Sequence, residues 1–150
     1  MQNSNSSPSD VVRAARSLLG TPYAEHQRAP GIGIDCAGVP IVVARLLGLK
    51  HEAWDVNGYG LQPNGTLLEH CRAHLIPVAR ADMRPGHVLV VAWGKGEAQH
   101  FGIVAEHPLY AGQLSLIHAE AFTHRRVIET RLVFTAHTRF VAAWAFPGVH

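Results

Sequence analysis

Pro85-Gly86-His87-Val88-Leu89-Val90-Val91-Ala92-Trp93-Gly94-Lys95-Gly96-Glu97-Ala98-Gln99-His100-Phe101-Gly102-Ile103-Val104-Ala105-Glu106 is the stretch in which the chain changes its hydrophobic period. Before it, apolar residues recur at helical spacing. Within and beyond it they form short runs rich in β-formers, separated by turn-like segments. His87–Trp93, Gln99–Glu106, Gln113–Ala119, Val127–Leu132 and Arg139–Phe146 read as strands. Helices first and strands afterwards predict an α+β fold in which N-terminal helices pack on a mainly antiparallel sheet of about five strands.

Working back from that stretch, Leu67, Leu68, Cys71 and Leu75 share one helical face after the breaker Pro63-Asn64-Gly65. Cys36 to Leu47 is almost wholly apolar and ends at Gly48, the pattern of a buried helix. Asp35 is its natural N-cap, and Pro40, counted from a start at Cys36, predicts a bend. Residues 21–34, with Pro22, Pro30, Gly31 and Gly33, read as an irregular loop. Val11, Val12, Ala14, Ala15, Leu18 and Leu19 form a first amphipathic helix, with Ser9 or Asp10 as cap and Gly20 as stop. Residues 1–10 are then a disordered polar tail, and 11–150 one domain, as a length of 150 residues suits.

The net charge of +2 and the scattered basic residues argue against a nucleic-acid groove or a polybasic membrane patch. No stretch reaches the roughly 18 apolar residues of a membrane span, so membrane insertion is not expected. The opening MQNSNSSPSD has neither the basic start nor the apolar run of a secretory signal, which predicts synthesis in the cytoplasm. Two cysteines are too few for a disulfide scaffold. His70 and His74 lie one helical turn apart beside Cys71, but no second ligand pair at zinc-site spacing follows, so no metal is predicted. Cys71, on the apolar face of its helix, reads as a buried structural thiol.

Cys36 is different. A thiol in the first turn of a buried helix meets the positive end of the helix dipole and unpaired backbone donors, which favour thiolate and can hold an oxyanion. A nucleophile needs a base, and His100 opens the strand QHFGIVAE. Alternation sets His100, Gly102 and Val104 on one face, with Gly102 leaving room for a helix end. His118 shares a face with Leu114 and Leu116, and pairing 100 with 118, 102 with 116 and 104 with 114 would put both imidazoles on one side. His118 would then orient the base.

Gly20-Thr21-Pro22-Tyr23, Gly33-Ile34-Asp35-Cys36-Ala37-Gly38, His100-Phe101-Gly102-Ile103-Val104 and Leu116-Ile117-His118-Ala119 together resemble the NlpC-like cell-wall cysteine peptidases, in order and in spacing. The resemblance runs from about Val11 to Gly148, and residues 21–38 are more similar to members encoded with bacteriophage tails or prophages. It implies a papain-like fold, no cofactor or metal, and hydrolysis of peptidoglycan stem peptides, commonly between D-glutamate and a diamino acid. It makes Cys36 the nucleophile, His100 the base and His118 the orienting third member, and it puts Tyr23 and Asp35 beside the substrate. Phage tail proteins become possible partners, and the cell wall, reached from a virion, the place of action. Ala37 and Pro40 depart from the family pattern, as does the long interval EHPLYAGQ between the two histidines. Two competing readings are a non-catalytic tail module with the same fold and an amidase or acyltransferase acting on a non-wall substrate.

Overall fold

Ser7-Pro8-Ser9-Asp10 starts the first helix by a reciprocal cap. The Ser7 hydroxyl accepts the Asp10 amide at 3.2 Å, and the Asp10 carboxylate accepts the Ser7 amide at 2.8 Å. Pro8 takes the first helical position, where its missing N–H costs nothing. In this computed structural model, which describes residues 5–49, 55, 66–94 and 100–150 (without the side chains of 66 and 67), α1 is therefore Pro8–Arg16. The cap is Ser7 rather than Ser9 or Asp10, and α1 begins inside the segment expected to be a polar tail.

The chain continues through a two-stranded ribbon, β1 (Arg28–Ala29) and β2 (Gly33–Ile34), into α2 (Gly38–Leu46) and α3 (Thr66–His74). It then forms β3 (Ile76–Val78), β4 (Val88–Trp93), β5 (His100–Glu106), β6 (Leu114–Glu120), β7 (Arg126–Arg131) and β8 (Thr138–Ala145). Six strands make one antiparallel sheet in the order β3-β8-β4-β5-β6-β7. The α+β class and the helix-then-strand order hold. A sixth strand, β3, joins the sheet edge; with three residues and a central proline it shows no alternation to read. The breaker at 63–65 and Gln99 lie outside the described residues.

The two faces of the sheet are unequal. α1 and α2 bury Val11, Ala15, Val39, Ile41 and Val43 against Val88, Val90, Phe101, Ile103 and Ile117. Leu89, Val91, Val104, Leu116 and Ala143 form a second cluster on the opposite face, edged by Met83, Trp93, Phe134 and Phe140. Cys71 is fully buried in the first core, and α3 is the helix expected there. Its His70 and His74 rings lie 4.5 Å apart, and no group of three or more metal-binding side chains occurs among the described residues. Among the same residues, no helix is long and apolar enough to cross a membrane.

Pro40 causes no break. α2 starts at Gly38, so Pro40 stands in the first turn, where amides lack intrahelical acceptors, and the carbonyl it would crowd, that of Cys36, lies outside the helix. Gly38 is needed at this start: a Cβ there would lie 2.5 Å from Ile34 Cγ2.

Candidate active site

Cys36 occupies the turn that leads into α2, with Ala37 as the N-cap residue. Asp35 does not cap the helix with its side chain. Its backbone carbonyl accepts the Gly38 amide at 2.9 Å, and its carboxylate turns inward. That carboxylate, fully buried, accepts the His26 amide at 2.7 Å and Arg28 Nη1 at 2.8 Å. Arg28 also reaches Asp55 at 3.0 Å, and Arg45 from α2 meets the same Asp55 at 3.3 Å. Asp35 was expected to meet an amine of the substrate. In the structure the carboxylate is enclosed with Arg28, as a charge at this depth requires a charged partner. Arg28 went unnoticed in the sequence, since β1 has only two residues and no period.

Tyr23 is half-buried, bridges to Ile34, and lies close enough to Cys36 for its hydroxyl and the thiol to influence each other's titration. The thiol is pushed up to about 11, first by burial and then by the Asp35 charge; the Ala37 amide, the Tyr23 hydroxyl and Arg28 oppose this more weakly. The expected resting thiolate is therefore replaced by a neutral thiol. The helix end contributes little because Cys36 precedes its first turn, where Gly38 spends its N–H on Asp35 and Pro40 has none.

His100 and His118 share one face, as the parity predicted, with ring centroids 6.3 Å apart and planes at 80°. The register is two residues from the one expected: Val104 faces Leu116, and Glu106 faces Leu114. A shift of two preserves every face, so alternation alone cannot detect it. The Gly102 position is also filled differently. A Cβ there would meet the Ile117 carbonyl at 2.7 Å and Leu116 Cδ1 at 2.8 Å, so the missing side chain admits the neighbouring strand and not a helix end.

Both imidazoles are almost wholly buried, and the Nδ1 atom of each has no hydrogen-bond partner among the described residues. His118 Nε2 lies 3.2 Å from the Thr130 hydroxyl on β7. Burial, aided by His118, pulls His100 down to about 3 against the opposing pull of Glu120. Burial pulls His118 down to about 4, again against Glu120. The Glu120 carboxylate is itself held at about 2 by the amides of Phe122, Thr123 and His124, which outweigh its burial. Trp93 from β4 stacks on His100 with ring centroids 3.4 Å apart. Thr130, Glu120 and Trp93 are site neighbours that the sequence reading did not single out; all three were accessible through strand alternation once the register was known.

Two groups are thus assembled. Tyr23 lies beside Cys36, and His100 beside His118. α2 packs on β5 and β6 through the face that carries Phe101, Ile103 and Ile117, while His100 and His118 project from the face that carries Val91, Val104 and Leu116. No hydrogen bond among the described residues joins Cys36 to either imidazole, and catalytic contacts in ligand-free sites are often long until substrate binds. The groups present are a thiol pushed up by burial and two buried imidazoles pulled down by it, the residue types that nucleophilic chemistry uses.

The fold is a papain-like α+β arrangement also found in two solved structures. A structure of an NlpC/P60 family protein from Bacillus cereus superposes with a TM-score of 0.65 at 19% identity, covering 95% of this chain and 41% of that one. An N-acetylmuramoyl-L-alanine amidase from Bacteroides uniformis gives 0.60 at 11% identity, over 92% of this chain and 97% of that one. In sequence, the chain is similar to proteins named "probable endopeptidase" from Mycobacterium bovis and Mycobacterium tuberculosis, 32% identical over 112 residues. The match covers 75% of this chain and 23% of those relatives, so it corresponds to under a quarter of their length. No family model matches the chain.

Proposed function

We propose that this chain is a cysteine peptidase that hydrolyses peptidoglycan stem peptides, at the bond between D-glutamate and a diamino acid. The observation that carries the reading is the half-buried thiol just ahead of α2, together with the buried His100–His118 pair on β5 and β6, the strands against which α2 packs. The likeness to probable endopeptidases supports it.

Because thiol and imidazole are both neutral at rest, attack and proton transfer are coupled. Cys36 Sγ bonds to the carbonyl carbon while its proton passes to His100. His100 then gives that proton to the departing amine, and the C–N bond breaks, leaving a thioester on Cys36. Water, deprotonated by His100, attacks the thioester; the carboxylate product leaves and the thiol recovers its proton. His118 orients His100, and Tyr23 orients the sulfur. Asp35, enclosed with Arg28, shapes the approach to Cys36 from within.

The same reading places the chain among the bacteriophage-tail or prophage members through residues 21–38, made in the cytoplasm and carried to the wall with tail proteins. The likeness to an amidase favours a second reading, cleavage between the sugar lactyl group and L-alanine by the same residues. Synthetic stem peptides, with and without the muramyl group, separate the two. Release of a free diamino-acid amine from the sugar-free peptide supports the proposal. Cleavage only of the muramyl-alanine amide replaces it with the second reading, and cleavage of neither favours the non-catalytic module.

A further inference from the structure

Trp93 has no part in the chemistry above, yet its indole lies face-on to the His100 ring, 3.4 Å between centroids and tilted by 34°. It also meets His118 edge-on at 5.6 Å. The placement follows from the sheet. Val91 on β4 faces His100 on β5, so Trp93, two residues on, projects from the same face just past the base. Thr138 on β8 backs it from the other side. Trp93 is partly exposed while His100 is only 4% exposed, so the indole is the outer layer and the imidazole the inner one.

We propose that Trp93 is a positioning residue for the general base: its indole clamps the His100 imidazole, fixes the plane of the ring and shuts water from that face. The role of His100 as base rests on the peptidase reading; the clamp itself does not. An indole has two opposing effects on an imidazole. Its π-face attracts the protonated ring, and its bulk removes the water that would solvate that charge. Desolvation dominates at His100, whose titration is moved downward. The other groups whose charges reach His100 are His118 and Glu120 of β6, and His118 in turn feels Glu120 and His124. Trp93 thus keeps a strand-borne histidine neutral and in one rotamer.

The test is a proton NMR titration of the histidine rings in wild type, Trp93→Phe and Trp93→Leu, with kcat and KM measured alongside. In the wild type the His100 ring protons should be displaced upfield by the indole ring current and should titrate well below the ordinary histidine range. Trp93→Phe should preserve both features. Trp93→Leu should bring the titration back toward the ordinary range and lower kcat at least about tenfold with KM unchanged, part of the roughly hundredfold or more that a positioned proton-transfer group supplies. An unmoved His100 titration in Trp93→Leu overturns the proposal. So do undisplaced His100 ring protons in the wild type, a measurement that needs no variant to fold. If the wild type cleaves no peptide, the ring-current and titration results still decide the clamp, and the failure falls on the peptidase reading alone.

Discussion

Acid should destabilise this protein well before its carboxylates titrate. His100 and His118 are held neutral in the fold, at about 3 and about 4, by burial. In the unfolded chain each returns to about 6.5. Between these limits the unfolded chain binds more protons than the folded one, so stability is complete above about pH 6.5 and falls as pH drops. Moving from about pH 7 to about pH 5 costs about 2 kcal/mol for each imidazole and about 4 kcal/mol for the pair. Against a total stability of about 5–15 kcal/mol, that is a large fraction. For a chain of this length it corresponds to a melting point lower by roughly 8–16 °C. Glu120 does not confuse the window: its depressed pKa contributes stability that is lost only below its ordinary value near 4.5. His87, lowered by burial and by Arg84, acts in the same direction as the pair. The assay is therefore urea unfolding at both pH values for wild type and for His100→Gln/His118→Gln. The wild type should lose about 4 kcal/mol more than the double variant. Equal losses would refute the burial argument.

Other consequences follow from the same geometry. Arg28→Met leaves the enclosed Asp35 carboxylate without its guanidinium and should cost about 3–5 kcal/mol in urea unfolding; a cost below about 1 kcal/mol, the value of a surface pair, would contradict that enclosure. Gly102→Ala should lower the melting temperature, because its Cβ would stand 2.7 Å from the Ile117 carbonyl; an unchanged melting curve would show that β5 and β6 separate freely there. Iodoacetamide should label native Cys36 roughly a hundredfold more slowly near neutral pH than an ordinary thiol, with the rate climbing toward about pH 11. Cys71, fully buried and pushed up to about 12, should not compete. A Cys36 rate already level by about pH 8 would show an ionised thiol instead.

The parts legible in the sequence are those governed by a period. Alternation put His100 and His118 on one face, and both rings are there. Five of the six sheet strands were visible as alternating or β-rich runs, and α1 and α2 as apolar stretches of helical character. Features set by exact offsets were not visible. A register shift of two leaves the alternation intact, so the pairing of Val104 with Leu116 had to come from the structure. The start of α2 depends on where the chain first closes a helical turn, and placing it at Gly38 removed both the expected Asp35 cap and the expected bend at Pro40. The neutral state of Cys36 was hidden for the same reason: two residues separate a thiol inside the helical dipole from one ahead of it. Arg28 and Trp93 were missed because each acts across the fold, on Asp35 and on His100, with no sequence spacing that joins them.

The central claim is that Cys36 attacks and the His100–His118 pair handles the proton. Digestion of isolated peptidoglycan by wild type, Cys36→Ala and His100→Gln, with mass spectrometry of the soluble fragments, tests it most directly. New diamino-acid amino termini should appear with the wild type and with neither variant, all three proteins being folded. Equal release by Cys36→Ala and the wild type would contradict it.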